Sequence, residues 1–224
     1  MLYLYETTYP FTGVVDEYVD VMGTDLIPGL SRHMTVLGVF RIAFRHRETF
    51  FLSELPNGVE TFEGLSNFVM HERDGLSWHR AGFRYRDEWF DSMLEGLPFS
   101  PTVATIKERQ EKGDFTGNTL YYRLIYNVSP WKLDEFLEAF EKELVPMEEK
   151  RGMKLAGCYR WFGACGESGE IISLWSLKNW AHWGQVREAH LKDPESQRWL
   201  EKVSSLCAEW SYKFLIPVPY SLLH

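Results

Sequence analysis

A few polar side chains in this chain sit in apolar company, where they could do acid-base chemistry. Glu6 belongs to a strand-like stretch, Leu2-Tyr3-Leu4-Tyr5-Glu6, on the face that also carries Leu2 and Leu4. A carboxyl there loses water, its pKa rises, and it can give or take a proton near neutral pH. His79 follows Trp78, and beside an aromatic wall the neutral imidazole is favoured, which suits a general base. His71-x-x-Asp74 has the spacing that puts both side chains on one helix face, where the carboxylate could orient the ring. Glu54, at a strand end, could orient an imidazole or serve as partner acid. Arg41 could stabilise negative charge developing on a substrate oxygen, and Tyr5 with Trp78 would form a flat wall. These residues predict a pocket between sheet and helices of the first half, with His79 as base, His71 second, and Glu6 or Glu54 as partner. The plainer readings are an edge-exposed glutamate, solvent-facing histidines, a helix-ending contact at His71-Asp74, and an ion pair at Arg41.

The elements that must hold these residues occur twice. Val15, Tyr18, Val19, Met22 and Leu26 form an apolar helical series that Leu133, Phe136, Leu137, Phe140 and Leu144 repeat 118 positions later. Pro28 matches Pro146, Gly38-x-x-Arg41 matches Gly157-x-x-Arg160, and His71-x-x-Asp74 matches His190-x-x-Asp193. Trp78 and Trp89 match Trp199 and Trp210 at an offset of 121. A repeat of this length is a duplicated small domain; solenoid periods run roughly 20–50 residues. Features common to both halves serve the fold, so polar residues present in one half are the better candidates for chemistry. Glu6 faces Leu124 in this alignment, His79 faces Leu200, and Glu54 faces Ser176.

The second half reads as a strand over Leu120–Val128, a helix from Ser129-Pro130 to about Lys150, and a strand over Met153–Phe162. A glycine-rich turn at Gly163–Gly169 leads to a strand over Glu170–Leu177. A helical stretch from Trp180 to Trp210, broken near Asp193-Pro194, precedes a last strand over Tyr212–Val218. The first half predicts the same order: a strand over Tyr3–Tyr9, a helix from Gly13 to about Ser31, and a hairpin of Met34–His46 with Thr49–Leu55. Helix then runs from Gly58 to about Leu94 with a break near Gly75, and the final strand is Pro101–Lys107. The expected fold class is α+β: two tandem ferredoxin-like β-α-β-β-α-β repeats, residues 1–110 and 119–224, joined by a polar linker at 111–118. Their sheets are expected to pack face to face as an α/β barrel; failing that, the same faces would pair between chains as a homo-oligomer.

Composition narrows the function. A net charge of −8 argues against a nucleic-acid partner. No run approaches the roughly 20 apolar residues of a membrane span, and the N-terminus lacks the basic and apolar regions of a secretory signal. The cysteines, Cys158, Cys165 and Cys207, form no C-x-x-C pair and suit a reducing cytoplasm. No zinc-type histidine pair, phosphate-binding glycine loop or G-x-S-x-G elbow occurs. Nine Trp, eleven Tyr and fifteen Phe supply rings for a lined cavity or for dense packing.

Tyr126, Pro130, Lys132-Leu133-Asp134-Glu135-Phe136, Gly157-x-x-Arg160, Leu174-Trp175, and Asp193-Pro194 with Trp199 carry a family resemblance. The chain resembles the NIPSNAP group of the dimeric α/β-barrel superfamily over about residues 120–219, and more weakly over 3–107. The resemblance implies the architecture above and a range of activities: cofactor-free monooxygenases, small-molecule lyases and isomerases, haem enzymes, and members without established chemistry. The expected function is therefore a cofactor-free enzyme, a lyase, isomerase or oxygenase, acting on a small apolar or aromatic metabolite, with no metal or nucleotide. The alternatives are a ligand-binding or scaffold protein without turnover, and a haem protein using a single axial histidine.

Overall fold

The computed structural model describes residues 1–162 and 169–224. The turn expected at 163–169, Cys165 included, lies outside the described residues except for Gly169. The chain forms two compact units, 1–95 with 216–224 and 96–215.

In unit 1, β1 (Leu2–Pro10) leads to α1 (Val15–Val21), a π-helical turn (Met22–Leu26) and α2 (Ile27–Leu30). β2 (Thr35–Ile42), β3 (Thr49–Leu55), α3 (Val59–His71), α4 (Arg73–Tyr85) and β4 (Arg86–Gly96) follow. β1 lies between β3 and β4, and β2 adds to β3, all antiparallel. Residues 216–224 return to β2: Val218 donates its N–H to the Val39 carbonyl at 3.0 Å and Leu223 to that of Leu37 at 2.9 Å.

Unit 2 repeats the pattern after an added helix, α5 (Val103–Glu111). β5 (Leu120–Val128), α6 (Leu133–Ala139), a second π-helical turn (Phe140–Leu144), α7 (Val145–Lys150), β6 (Lys154–Trp161) and β7 (Glu170–Leu177) come first. Then come α8 (Trp180–Lys192), α9 (Pro194–Leu206) and β8 (Cys207–Pro217). β5 lies between β7 and β8, and β6 adds to β7. The α+β class and the ferredoxin-like order are as expected from the sequence.

Three expectations need correction. The strand expected over Pro101–Lys107 is the helix α5, because Thr102 takes an extended conformation and its Oγ1 accepts the Thr105 N–H, the arrangement of an N-cap. The last strand of unit 1 is β4, beginning at Arg86 inside the stretch read as helix. Cys207, expected in a helix, opens β8. Residues 111–118, the expected linker, lie within unit 2, where the Phe115 ring packs against the Arg109 guanidinium.

The duplicated landmarks have structural causes. Pro28 and Pro146 have no N–H to give the carbonyl four residues back, and their rings would strike it. Both π-helical turns lie just before these prolines, at the residues that carbonyl belongs to. The wide turns aim Met22 and Leu26, and Phe140 and Leu144, into the two cores. Gly38 and Gly157 each follow a register shift, and the ring two residues on, Phe40 or Tyr159, folds over the glycine. A Cβ would meet these buried rings at 2.2 Å and 2.0 Å. Gly38→Ala and Gly157→Ala are each expected to lower unfolding stability by about 1–3 kcal/mol through overpacking. Urea titration of the two variants checks this, and wild-type midpoints would contradict it.

Candidate active site

A cavity of about 250 Å³ opens between sheet and helices of unit 1. The sheet contributes Leu4 and Glu6 from β1, which share a face because strand side chains alternate. β4 contributes Arg86, Trp89 and Asp91. Strict alternation would set Arg86 opposite the other two. The register shifts between Tyr9 and Pro10, however, so Asp87 is an extra residue, a β-bulge that turns Arg86 to the same side. Met22, Leu26, Leu30 and Met34 close the cavity with Phe51 and Trp78, and His79 reaches it from α4.

The polar centre is a pair of carboxyls facing a guanidinium. Glu6 and Asp91 are direct cross-strand neighbours. Arg86 Nη1 lies 3.3 Å from Glu6 Oε1, both side chains largely hidden from solvent. The Arg86 guanidinium also lies 4.3 Å from the centre of the Trp89 ring, a cation–π contact. Burial pushes the Glu6 carboxyl up to about 8; Arg86 pulls it down, and Asp91, as a like charge and hydrogen-bond partner, pushes it further up. Near neutral pH Glu6 therefore keeps its proton, beside the fixed positive charge of Arg86. Tyr18, 3.4 Å from Thr8 Oγ1, has its hydroxyl pushed up to about 12, chiefly by burial and then by Glu6.

Of the residues singled out in the sequence, Glu6, Trp78 and His79 line this cavity together. The other four lie elsewhere. Tyr5 points to the opposite sheet face, where its ring packs on Phe50 at 4.9 Å. Glu54 shares that face and accepts from the Tyr3 hydroxyl at 3.4 Å. Arg41 is ion-paired with Asp16, the structural alternative weighed for it. His71 is exposed at the end of α3. Its pairing with Asp74 fails because Glu72 is extended and the two residues belong to different helices. The same break separates His190 from Asp193, which caps α9 instead. Arg86 and Asp91 were missed because they fell in the supposed helix. The offset of 121 sets Arg86 against Cys207 and Asp91 against Tyr212, so the half-specificity that marks Glu6 marks them as well.

A cavity at the equivalent place in unit 2 has a different lining: Tyr122 and Leu124 where unit 1 has Leu4 and Glu6, and Glu148 where it has Leu30. Comparison with known proteins locates unit 2 within a family. The NIPSNAP family model matches residues 122–222. This half of the chain is NIPSNAP-like. No protein of curated function matches the chain. Beyond the NIPSNAP-like half, solved structures resemble the whole chain. A candidate monooxygenase from Fusobacterium nucleatum subsp. nucleatum matches with a TM-score of 0.64 at 10% identity, over 96% of this chain and 91% of its own. Another, from Lactobacillus acidophilus NCFM, matches with a TM-score of 0.64 at 13% identity, over 96% and 93%. An anthrone oxidase-like protein matches with a TM-score of 0.61 at 13% identity, over 97% and 91%. At these identities the likeness is one of fold.

The Glu6 shift sets a pH signature. A carboxyl whose pKa is raised on folding makes the native state bind the extra proton, so its stabilising contribution is full below the unfolded value of about 4.5 and lost as pH rises to about 8. Thermal midpoints are expected to fall between about pH 5 and pH 8, and this component should vanish in Glu6→Gln, which keeps the neutral shape. Equal pH dependence in the two proteins would remove the proton from Glu6.

Proposed function

We propose that unit 1 is the catalytic unit of a cofactor-independent enzyme that abstracts a proton from a small, largely apolar aromatic substrate. The observation that carries this reading is the carboxyl pair Glu6–Asp91 beside Arg86 in an otherwise apolar cavity. With a pKa raised to about 8, Glu6 can take a proton from a carbon acid when ionised and give one back when neutral. Arg86 stands where negative charge on an enolate oxygen would be offset. His79, at the cavity wall, is the second candidate base, and Trp78 and Trp89 supply faces for a flat ring. The volume of about 250 Å³ is below the roughly 300–1,000 Å³ usual for larger ligands, which favours a compact substrate.

Proton abstraction is common to lyases, isomerases and cofactor-free oxygenases. The oxygenase version is favoured by the company of monooxygenase-like and anthrone oxidase-like structures of the same fold. An activated methylene ketone would lose a proton to the carboxyl pair, the carbanion would reduce O₂ and combine with it as a peroxide, and loss of water would leave a carbonyl. The balance is R₂CH₂ + O₂ → R₂C=O + H₂O.

Anthrone and simpler aryl ketones with an activated methylene test both steps. Anaerobic exchange of the methylene protons in D₂O, followed by NMR, reads proton abstraction alone; an oxygen electrode reads the second step. Wild type is expected to catalyse exchange, Glu6→Gln to lose about 10²-fold or more, and His79→Ala to lose a comparable factor only if the imidazole rather than the pair is the base. Undiminished exchange in Glu6→Gln, Asp91→Asn and His79→Ala would end the catalytic reading and favour a binding protein. A Soret band in the purified protein would assign haem chemistry instead.

A further inference from the structure

The cavity of unit 2 has a volume of about 100 Å³ and four tryptophans in its wall: Trp175, Trp183, Trp199 and Trp210. Its charged groups are already committed to one another. Glu148 is buried and accepts from Arg151 Nη1 at 3.4 Å and from His190 Nε2 at 2.9 Å. Arg151 in turn is ion-paired with Asp193 and donates to Ser196 Oγ at 2.6 Å. A charged ligand would find no uncommitted opposite charge among these groups and would lose its hydration on entry.

What remains uncommitted is a pair of hydroxyls. Tyr122 and Tyr126 project from β5 into the same cavity, with exposures of 9% and 3%. Neither hydroxyl has a hydrogen-bond partner among the described residues. Both residues line the cavity, where their hydroxyls can donate to an acceptor from outside the chain. Burial holds both hydroxyls well above the ordinary tyrosine range, Tyr122 also through Tyr212 and Glu148 and Tyr126 through Tyr122 and Glu148, so both remain donors at any physiological pH.

We propose that unit 2 carries a second, separate ligand site, for a neutral single-ring aromatic compound bearing a carbonyl oxygen that accepts from the Tyr122 and Tyr126 hydroxyls. The tryptophan faces suit a flat ring. At about 100 Å³ the cavity is smaller than the engineered apolar cavity of about 150 Å³ that admits benzene, which limits the ligand to a single ring at most. The proposal does not depend on the chemistry of unit 1, whose cavity has neither tyrosine: Leu4 and Thr8 hold the matching positions.

The test uses the full chain and three probes of one size: acetophenone, ethylbenzene, which keeps the ring without an acceptor, and benzoate, which adds a charge. Binding is measured by calorimetry on wild type, on Glu6→Gln, and on the double variant Tyr122→Phe/Tyr126→Phe. Phe keeps both rings, and matching circular dichroism spectra confirm that the variant folds. Acetophenone is expected to bind wild type with saturation and to bind the double variant roughly tenfold or more weakly, since each lost hydrogen bond is worth about 1 kcal/mol. Ethylbenzene should bind both proteins alike, and benzoate more weakly than acetophenone. Unchanged acetophenone affinity in the double variant overturns the proposal, as does benzoate binding tighter than acetophenone. Loss confined to Glu6→Gln would place the ligand in unit 1 and also overturn it.

Discussion

Glu6 and Asp91 stand opposite each other on adjacent strands, in a cavity whose walls are mostly Met, Leu and Trp. Glu6 is desolvated there and faces a second carboxyl, that of the exposed Asp91, so its ionisation is costly. The surroundings of the pair can be understood from that constraint. Glu6 keeps its proton near neutral pH, Arg86 lies near enough to offset its charge when it ionises, and the bulge at Asp87 is what brings Arg86 there. Trp89 then faces the guanidinium that Glu6 holds from the other side. The fold thus fixes a proton and a positive charge side by side without a metal ligand set among the described residues.

Duplication explains how one frame supports two kinds of interior. The π-helical turn, the proline after it, the glycine under a ring and the broken second helix are common to both units, and all answer backbone or packing demands. Polar groups change place freely within that frame. The cavity carboxyl sits on a strand in unit 1 and on a helix in unit 2, where Glu148 is already neutralised by Arg151 and His190. The first arrangement leaves a carboxyl with a raised pKa; the second leaves only neutral donors.

The sequence was most legible where a local rule has one outcome. Alternation along β1 placed Glu6 with Leu4, and the apolar helical series located α1 and α6. Tyr5, by the same alternation, belongs to the opposite face, and its assignment to the pocket wall conflicted with that of Glu6. β4 was hard to read because Arg86-Asp87-Glu88 is polar, its bulge disrupts the period of two, and no glycine or proline separates it from α4. Aligning Trp89 with Trp210 would have carried the strand read at 212–218 back to 91–97, and Asp91 with it, though not Arg86. His71 misled for a different reason: i, i+3 spacing implies a shared face only if the helix is unbroken, and nothing as plain as Pro194 marks the break at Glu72.

The return of residues 216–224 to β2 gives the two units different histories on the way to the folded state. Val218, Tyr220, Ser221 and Leu223 complete contacts with Val19, Leu37 and Val39. Because they follow unit 2 in the chain, they are synthesised only after all of it. At about 5–20 residues per second, unit 2 takes roughly 6–24 s to emerge. For that interval unit 1, though made first, lacks part of its own covering, while unit 2 is continuous in sequence and can close as soon as it is made. The cavity that holds Glu6 therefore belongs to the unit that is finished last.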